Sequence, residues 1–168
     1  GLLARTFKDI GTQDRFAPIV MVLGHGATSV NNPFAAAYNC GACGGHEGGP
    51  NARLLARLSN DRAVRACLQK DHNITIPDDT VFIGGFHNTT TDTVEFFDVN
   101  LLPKTHVVQF KKYKQQIDAA LGKNALERCH RFLLAENVRT TKEALQHVQS
   151  RAVDPAEVRP ELNHATNA

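Results

Sequence analysis

The chain has 168 residues, 42% of them hydrophobic, which suffices for one domain with a real core, and its charged residues, 21% of the total, nearly cancel to a net +2. That balance offers no dense positive field for a polyanion, so nucleic acid is not an expected partner, and the longest apolar runs, "IVMVL" and "FLLA", fall far short of the roughly 20 residues that span a bilayer. Four cysteines, at positions 40, 43, 67 and 129, are too few for a disulfide framework and point to a reducing compartment with thiols free for metal or redox chemistry.

Residues 1–16, mixed and polar around "GTQD", carry no clear periodicity and read as irregular. "APIVMVL" then makes a continuous apolar run rich in branched residues, which predicts a buried strand from Pro18 to Leu23. A glycine-rich loop follows. Pro50 sits where proline suits the first turn of a helix, with Leu54, Leu55 and Leu58 as its apolar side. Ser59 or Asn60 is the expected cap of a second helix facing the core with Val64, Cys67 and Leu68. "IPDDTVFIGGF" predicts a turn and a strand over Thr80–Ile83, and "TVEFFDV" another over 93–99, joined by the polar "HNTTTD".

From Lys104 to Glu136, Phe110, Tyr113, Ile117, Leu121, Ala125, Cys129 and Phe132 recur every three or four residues, the period of a long amphipathic helix that Gly122 is expected to kink or divide. Residues 140–150 predict a shorter helix capped by Thr140, and 152–168 read as irregular. Strands separated by helices predict an α/β fold, a partly parallel sheet flanked by helices in one domain over 1–168. Opening on Gly1 and closing on "RPELNHATNA", the chain reads as an internal piece of something longer.

Open α/β sheets bind ligands beyond the carboxyl ends of their strands, which directs attention to "GHGATSVNNPFAAAYNCGACGGHEGGPNAR". His25 stands at the end of the first strand between Gly24 and Gly26, whose missing side chains allow close approach to the imidazole. Imidazole and thiolate are preferred zinc ligands, and Cys40 lies in a loop able to fold back onto His25. With Cys43 added, the set still falls short of the four ligands of a structural zinc site. A strand-end His is commonly a plain hydrogen-bonding residue, and two further functions compete. "CGAC" has the spacing of a redox dithiol, although the glycines after it forbid the helix such a motif opens. Gly44, Gly45, Gly48 and Gly49 could free several N–H groups for an anion, with Arg53 nearby. Cys67 and Cys129 read as buried packing residues. His87 and Asp92 bracket "NTTT", a turn that suits bonds to its own backbone or a supporting place behind a metal.

The same glycine-rich stretch, with "FHNTTTD" downstream and "RAVDPAEVRPE" near the end, resembles the DabA family of probable inorganic carbon transporter subunits of bacteria, over nearly the whole chain from Pro18. The resemblance implies a fold like part of a β-carbonic anhydrase and a zinc ion held by an upstream Cys-x-Asp pair, by the His of "GHG" and by the first Cys of "CGACGG". The last two correspond to His25 and Cys40. No Cys precedes Cys40 here, so the resemblance places half of the zinc ligands outside these residues, with Cys43 as a stand-in. It further implies hydration of carbon dioxide to bicarbonate by a zinc-activated water whose pKa falls to about 7. The implied setting is the cytoplasmic face of the bacterial inner membrane, beside a membrane-embedded, proton-pump-like partner of the DabB type. Asn31, Asn32 and Arg53 are expected to hold the loop in shape around the metal.

Overall fold

A computed structural model describes residues 1–13 and 15–157. Its elements in chain order are α1 (Leu2–Asp9), β1 (Ile19–Gly26), α2 (Ala35–Tyr38), α3 (Gly49–Asn60), α4 (Arg62–His72), β2 (Val81–Asn88), β3 (Thr93–Phe96), α5 (Val107–Cys129) and α6 (Thr141–Val153). Three strands form one sheet in the order β1-β2-β3. β1 and β2 run parallel, from Ile19 opposite Val81 to Gly26 opposite Asn88, with α3 and α4 in the connection between them. β3 returns antiparallel, Gly85 opposite Phe96 and Asn88 opposite Thr93. The fold is therefore α/β with a small mixed sheet.

Side chains alternate across a strand, so β1 and β2 each serve two layers. On one face Val20, Val22 and Phe82 pack with Ala4 and Phe7 of α1, Ala56 of α3 and Leu68 of α4. On the other, Ile19, Met21, Val81 and Ile83 meet Phe110 and Tyr113 of α5, with Phe96 edge-on to Phe110 at 5.2 Å. A third cluster joins α5 to α6 through Ala125, Cys129, Phe132, Ala144 and Val148.

Several expectations need correction. Residues 2–9 of the stretch read as irregular form α1, whose buried Ala4 and Phe7 include a ring 5.7 Å from that of Phe82. α3 does not face the core with its leucines: Leu54 and Leu58 are 54% and 41% exposed, and the buried side is Gly49, Ala52, Ala56 and Ser59. The reason is distance. A Cβ on Gly84 would fall 2.7 Å from the Arg53 Cα, so the helix backbone lies directly on β2 and only small residues fit between. Asp61, not Ser59 or Asn60, caps α4, accepting from the Val64 N–H at 2.9 Å. Cys67 is exposed and donates to Asp71, while Cys129 is buried as expected. α5 stops at Cys129 rather than Glu136, and a 3-10 turn over Lys104–His106 precedes it.

Gly122 does not divide α5, which runs unbroken from Val107 to Cys129. It lets α6 approach, since a Cβ there would stand 3.1 Å from the Thr141 Cβ. Thr140 caps α6 as expected, in a reciprocal pair with Glu143. α6 runs to Val153, past the point where irregular structure was expected, and of that last stretch residues 158–168 lie outside the described residues.

Candidate metal site at the carboxyl end of β1

β1 extends three residues beyond the predicted Leu23 and delivers His25, exposed, to the end of the sheet. Both flanking glycines are required by what lies against them. A Cβ on Gly24 would fall 2.1 Å from the Gly48 carbonyl oxygen, and one on Gly26 would press on Asn39 Oδ1 and the Glu47 Cγ, each at 3.0 Å. The loop that leaves β1 thus folds back along it. Gly48 N–H donates to the His25 carbonyl at 2.8 Å, and Ala27 N–H donates to Asn39 Oδ1 at 3.0 Å. Residues before and after Cys40, Asn39 and Gly48, are in this way tied to Ala27 and to the His25 backbone.

Cys40 itself is half-buried and pairs antiparallel with His46, its N–H donating to the His46 carbonyl at 3.0 Å. Between them the chain makes a 3-10 turn over Gly41–Cys43, then two left-handed residues, Gly44 (φ 67°) and Gly45 (φ 82°). Cys43 is also half-buried and accepts from Asn51 Nδ2 at 3.2 Å. Contact with the Cys40 thiol pushes the Cys43 thiol above its ordinary pKa, against the opposing bond from Asn51. That direction is the reverse of what an activated redox nucleophile needs. The amides proposed as an anion cradle are largely spent: Gly44, Gly45 and Gly48 donate to Gly41, Cys40 and His25.

Of the supporting residues, Asn32 lies where the loop needs it, its Nδ2 donating to the Ala27 carbonyl at 3.2 Å. Asn31 reaches instead to the Pro155 carbonyl at 2.8 Å, beside a bond from Val30 N–H to Ala152. Arg53 does not address the loop in any described contact. It makes a two-pronged pair with Asp98 at 2.8 and 2.6 Å, Arg57 shares the same carboxylate, and the two guanidinium groups hold Asp98 far below the usual carboxylate range.

His87 is the register neighbour of His25, so the two imidazoles leave adjacent strands on the same face. Behind His87 lies Asp92, its side chain 1% exposed, with Oδ1 3.7 Å from His87 Nε2 and Oδ2 2.6 Å from Arg128 of α5. Asn124 adds a third contact at 2.8 Å. Burial alone pushes the Asp92 carboxyl up, but His87, Arg128 and Asn124 outweigh it and hold the group below its ordinary value. Arg128 also donates to the Thr89 and Thr90 carbonyls, and Thr89 N–H donates to the Gly26 carbonyl at 2.8 Å. Asn88 Oδ1 accepts from Thr28 N–H at 3.4 Å and from Thr90 N–H at 3.2 Å, so Arg128, Asn124, Asn39 and Asn88 join the site without having been singled out from sequence. Asn39, next to Cys40, and Asn88, opening "NTTT", carried a local signal, since Asn favours such turns; Arg128 carried none.

The donor chemistry, an exposed imidazole and two free thiols, suits zinc. The number does not complete a site: among the described residues no three His, Cys, Asp or Glu side chains stand together as a metal-holding group. These residues fit part of a zinc site and require further donors to close it.

The family model described as "Probable inorganic carbon transporter subunit DabA" matches residues 1–168. A protein named probable inorganic carbon transporter subunit DabA 2 from Sorangium cellulosum is 50% identical over 99% of this chain and 16% of its own length. The DabA 2 protein of Rhodopirellula baltica and the DabA protein of Methylococcus capsulatus are each 44% identical over 99% of the chain, which covers 16% and 15% of their lengths. The chain thus spans about one sixth of these relatives. No solved structure matches it.

Proposed function

Because this chain belongs to the DabA family of probable inorganic carbon transporter subunits, we propose that it supplies His25 and Cys40 to a zinc site that hydrates carbon dioxide to bicarbonate in the full-length protein. The observation that carries this reading is the return of the glycine-rich loop onto the end of β1, fixed by Gly48 to His25 and by Ala27 to Asn39. It ties Asn39, the neighbour of Cys40, to Ala27, two residues past His25, which supports the two side chains sharing one metal.

Zinc, when bound, supplies the Lewis acidity that makes water a nucleophile toward carbon dioxide near neutral pH. The chain's own residues do the rest of what can be assigned to them. His25 offers a ring nitrogen from a strand end that cannot shift without breaking the Gly48 contact, and Cys40 offers a thiolate from a turn closed by His46. His87, register neighbour of His25, lies beside the buried Asp92, with Nε2 3.7 Å from its Oδ1. Asn32 keeps the first arm of the loop folded. The remaining ligands come from another part of the full-length protein, as does the coupling to a membrane-embedded, proton-pump-like subunit at the cytoplasmic face of the inner membrane. Among the described residues no helix is long and apolar enough to cross a membrane, and the relatives' names speak of a subunit; both agree with a peripheral place beside such a partner. The relation to β-carbonic anhydrases belongs to the same proposal, supported by the parallel β1–β2 pair with its ligand loop at the carboxyl end.

Metal analysis and stopped-flow hydration assays test this on the full-length protein. Replacing His25 by Ala or Cys40 by Ser is expected to remove most of the zinc and to bring hydration to background. Zinc content equal to wild type in both variants would overturn the assignment. The 168-residue chain alone, with two strong ligands, should hold zinc weakly and hydrate carbon dioxide no faster than buffer.

A further inference from the structure

Cys40 and Cys43 stand at the two ends of one tight turn, and neither is engaged in a disulfide. The Cys43 N–H donates to the Cys40 carbonyl at 3.0 Å, closing a turn of the kind that holds its end Cα atoms within about 7 Å. A disulfide needs Cα atoms roughly 4.4–6.8 Å apart. Both residues are half-buried, open enough for a small oxidant. The turn also has room to adjust, because nothing lies within 4 Å of where a Cβ would stand on Gly41 or Gly44. Its backbone is closed on itself by the Cys40–His46 pairing, so a crosslink inside it leaves the sheet untouched. The other two cysteines are placed elsewhere, Cys67 on the exposed side of α4 and Cys129 in the α5–α6 core.

We propose that Cys40 and Cys43 form a reversible disulfide that competes with metal binding at Cys40, so that the thiol redox state gates the site. This rests on the reading of Cys40 as a ligand given above, whereas the crosslink itself does not. With a low-molecular-weight disulfide as oxidant, one cysteine thiolate attacks it, forming a mixed disulfide and releasing one small thiol. The second cysteine thiolate then displaces the other small thiol and forms the Cys40–Cys43 bond. Two protein thiols are oxidised, one small disulfide is reduced to two thiols, and the two protons pass to the released thiolates. The reverse exchange restores both. A disulfide sulfur carries no anionic lone pair for zinc, and a zinc-bound thiolate is a poor attacker, so metal and crosslink exclude each other.

The test uses the reduced full-length protein, zinc-loaded and chelator-stripped, treated with oxidised glutathione, with peptide mapping for the crosslink and a chromogenic chelator for released zinc. The stripped protein is expected to form the 40–43 link and lose it to dithiothreitol. The zinc-loaded protein should resist, and release its zinc only as the link appears. Cys43→Ser should keep its zinc under the same oxidant. Failure of the link to form in stripped protein, or equal zinc loss from wild type and Cys43→Ser, overturns the gate. Reduced wild-type protein that holds no zinc overturns the ligand reading and, with it, the competition, even where the link forms.

Discussion

Two loops close the same end of the sheet by opposite means. The loop after β1 is exposed for much of its length and is held by backbone hydrogen bonds that only glycine permits, at Gly24, Gly26 and Gly48. The turn after β2 is held by a buried carboxylate, Asp92, itself in a left-handed conformation (φ 50°) and gripped by Arg128 and Asn124. One fixes a path by leaving side chains out and keeps its thiols accessible. The other fixes a platform by burying charge, and it reaches across through Thr89 to hold the Gly26 carbonyl. A ligand site needs both, a rigid frame and an approachable donor, and here they sit on neighbouring strands.

The comparison breaks most severely at the platform. Arg128→Ala leaves Asp92 buried without its cation and is expected to cost roughly 3–5 kcal/mol, read by denaturant unfolding of the 168-residue chain; a loss under about 1 kcal/mol would show that the network is not what holds the turn. Next is the glycine seam. Gly24→Ala places a methyl where the Gly48 carbonyl stands, and because the obstacle is backbone the loop must move, at about 1–3 kcal/mol by the same measurement. The loop side is sharpened by Asn32→Ala in the full-length protein, where loss of the bond to Ala27 should weaken zinc retention ~10 to 100-fold under chelator challenge with little change in unfolding. Smallest is Leu54→Gln, expected within about 0.5 kcal/mol of wild type because the side chain faces outward from α3.

What sequence pattern could reach, and what it could not, divides along the range of the interactions. β1 was legible as a strand because it packs on both faces, Val20 and Val22 on one and Ile19 and Met21 on the other, although much of it is only half-buried and Leu23 is exposed. α6 was legible because Thr140 and Glu143 form their cap within four residues. The small mixed sheet followed from strands alternating with helices. α3 was read on the wrong face because pattern reasoning assumes that large apolar residues point inward, whereas the closeness of its backbone to Gly84 admits only Ala, Gly and Ser. α1 escaped because eight residues carry too little periodicity, although its Phe7 completes a core. At the site, His25 and Cys40 stand out through their glycine neighbours and by resemblance. Arg53 misled, being drawn to Asp98, a partner 45 positions away. Arg128 was invisible for the same reason, since nothing near it in sequence announces a carboxylate 36 positions earlier.

The tie from Asn31 to the Pro155 carbonyl spans 124 positions, and Val30 is bound to Ala152 beside it. During synthesis the glycine-rich loop leaves the ribosome long before α6 does, and at roughly 5–20 residues per second it waits several seconds for those two anchors. Its Cys40–His46 turn and the Asn32–Ala27 bond can close in that interval, being local, but the Asn31 and Val30 ties form only once the chain's last described helix has been made. The Asn31 and Val30 end of the loop is therefore fixed only after α6 exists, and slow packing of α6 on α5 delays these ties rather than the sheet.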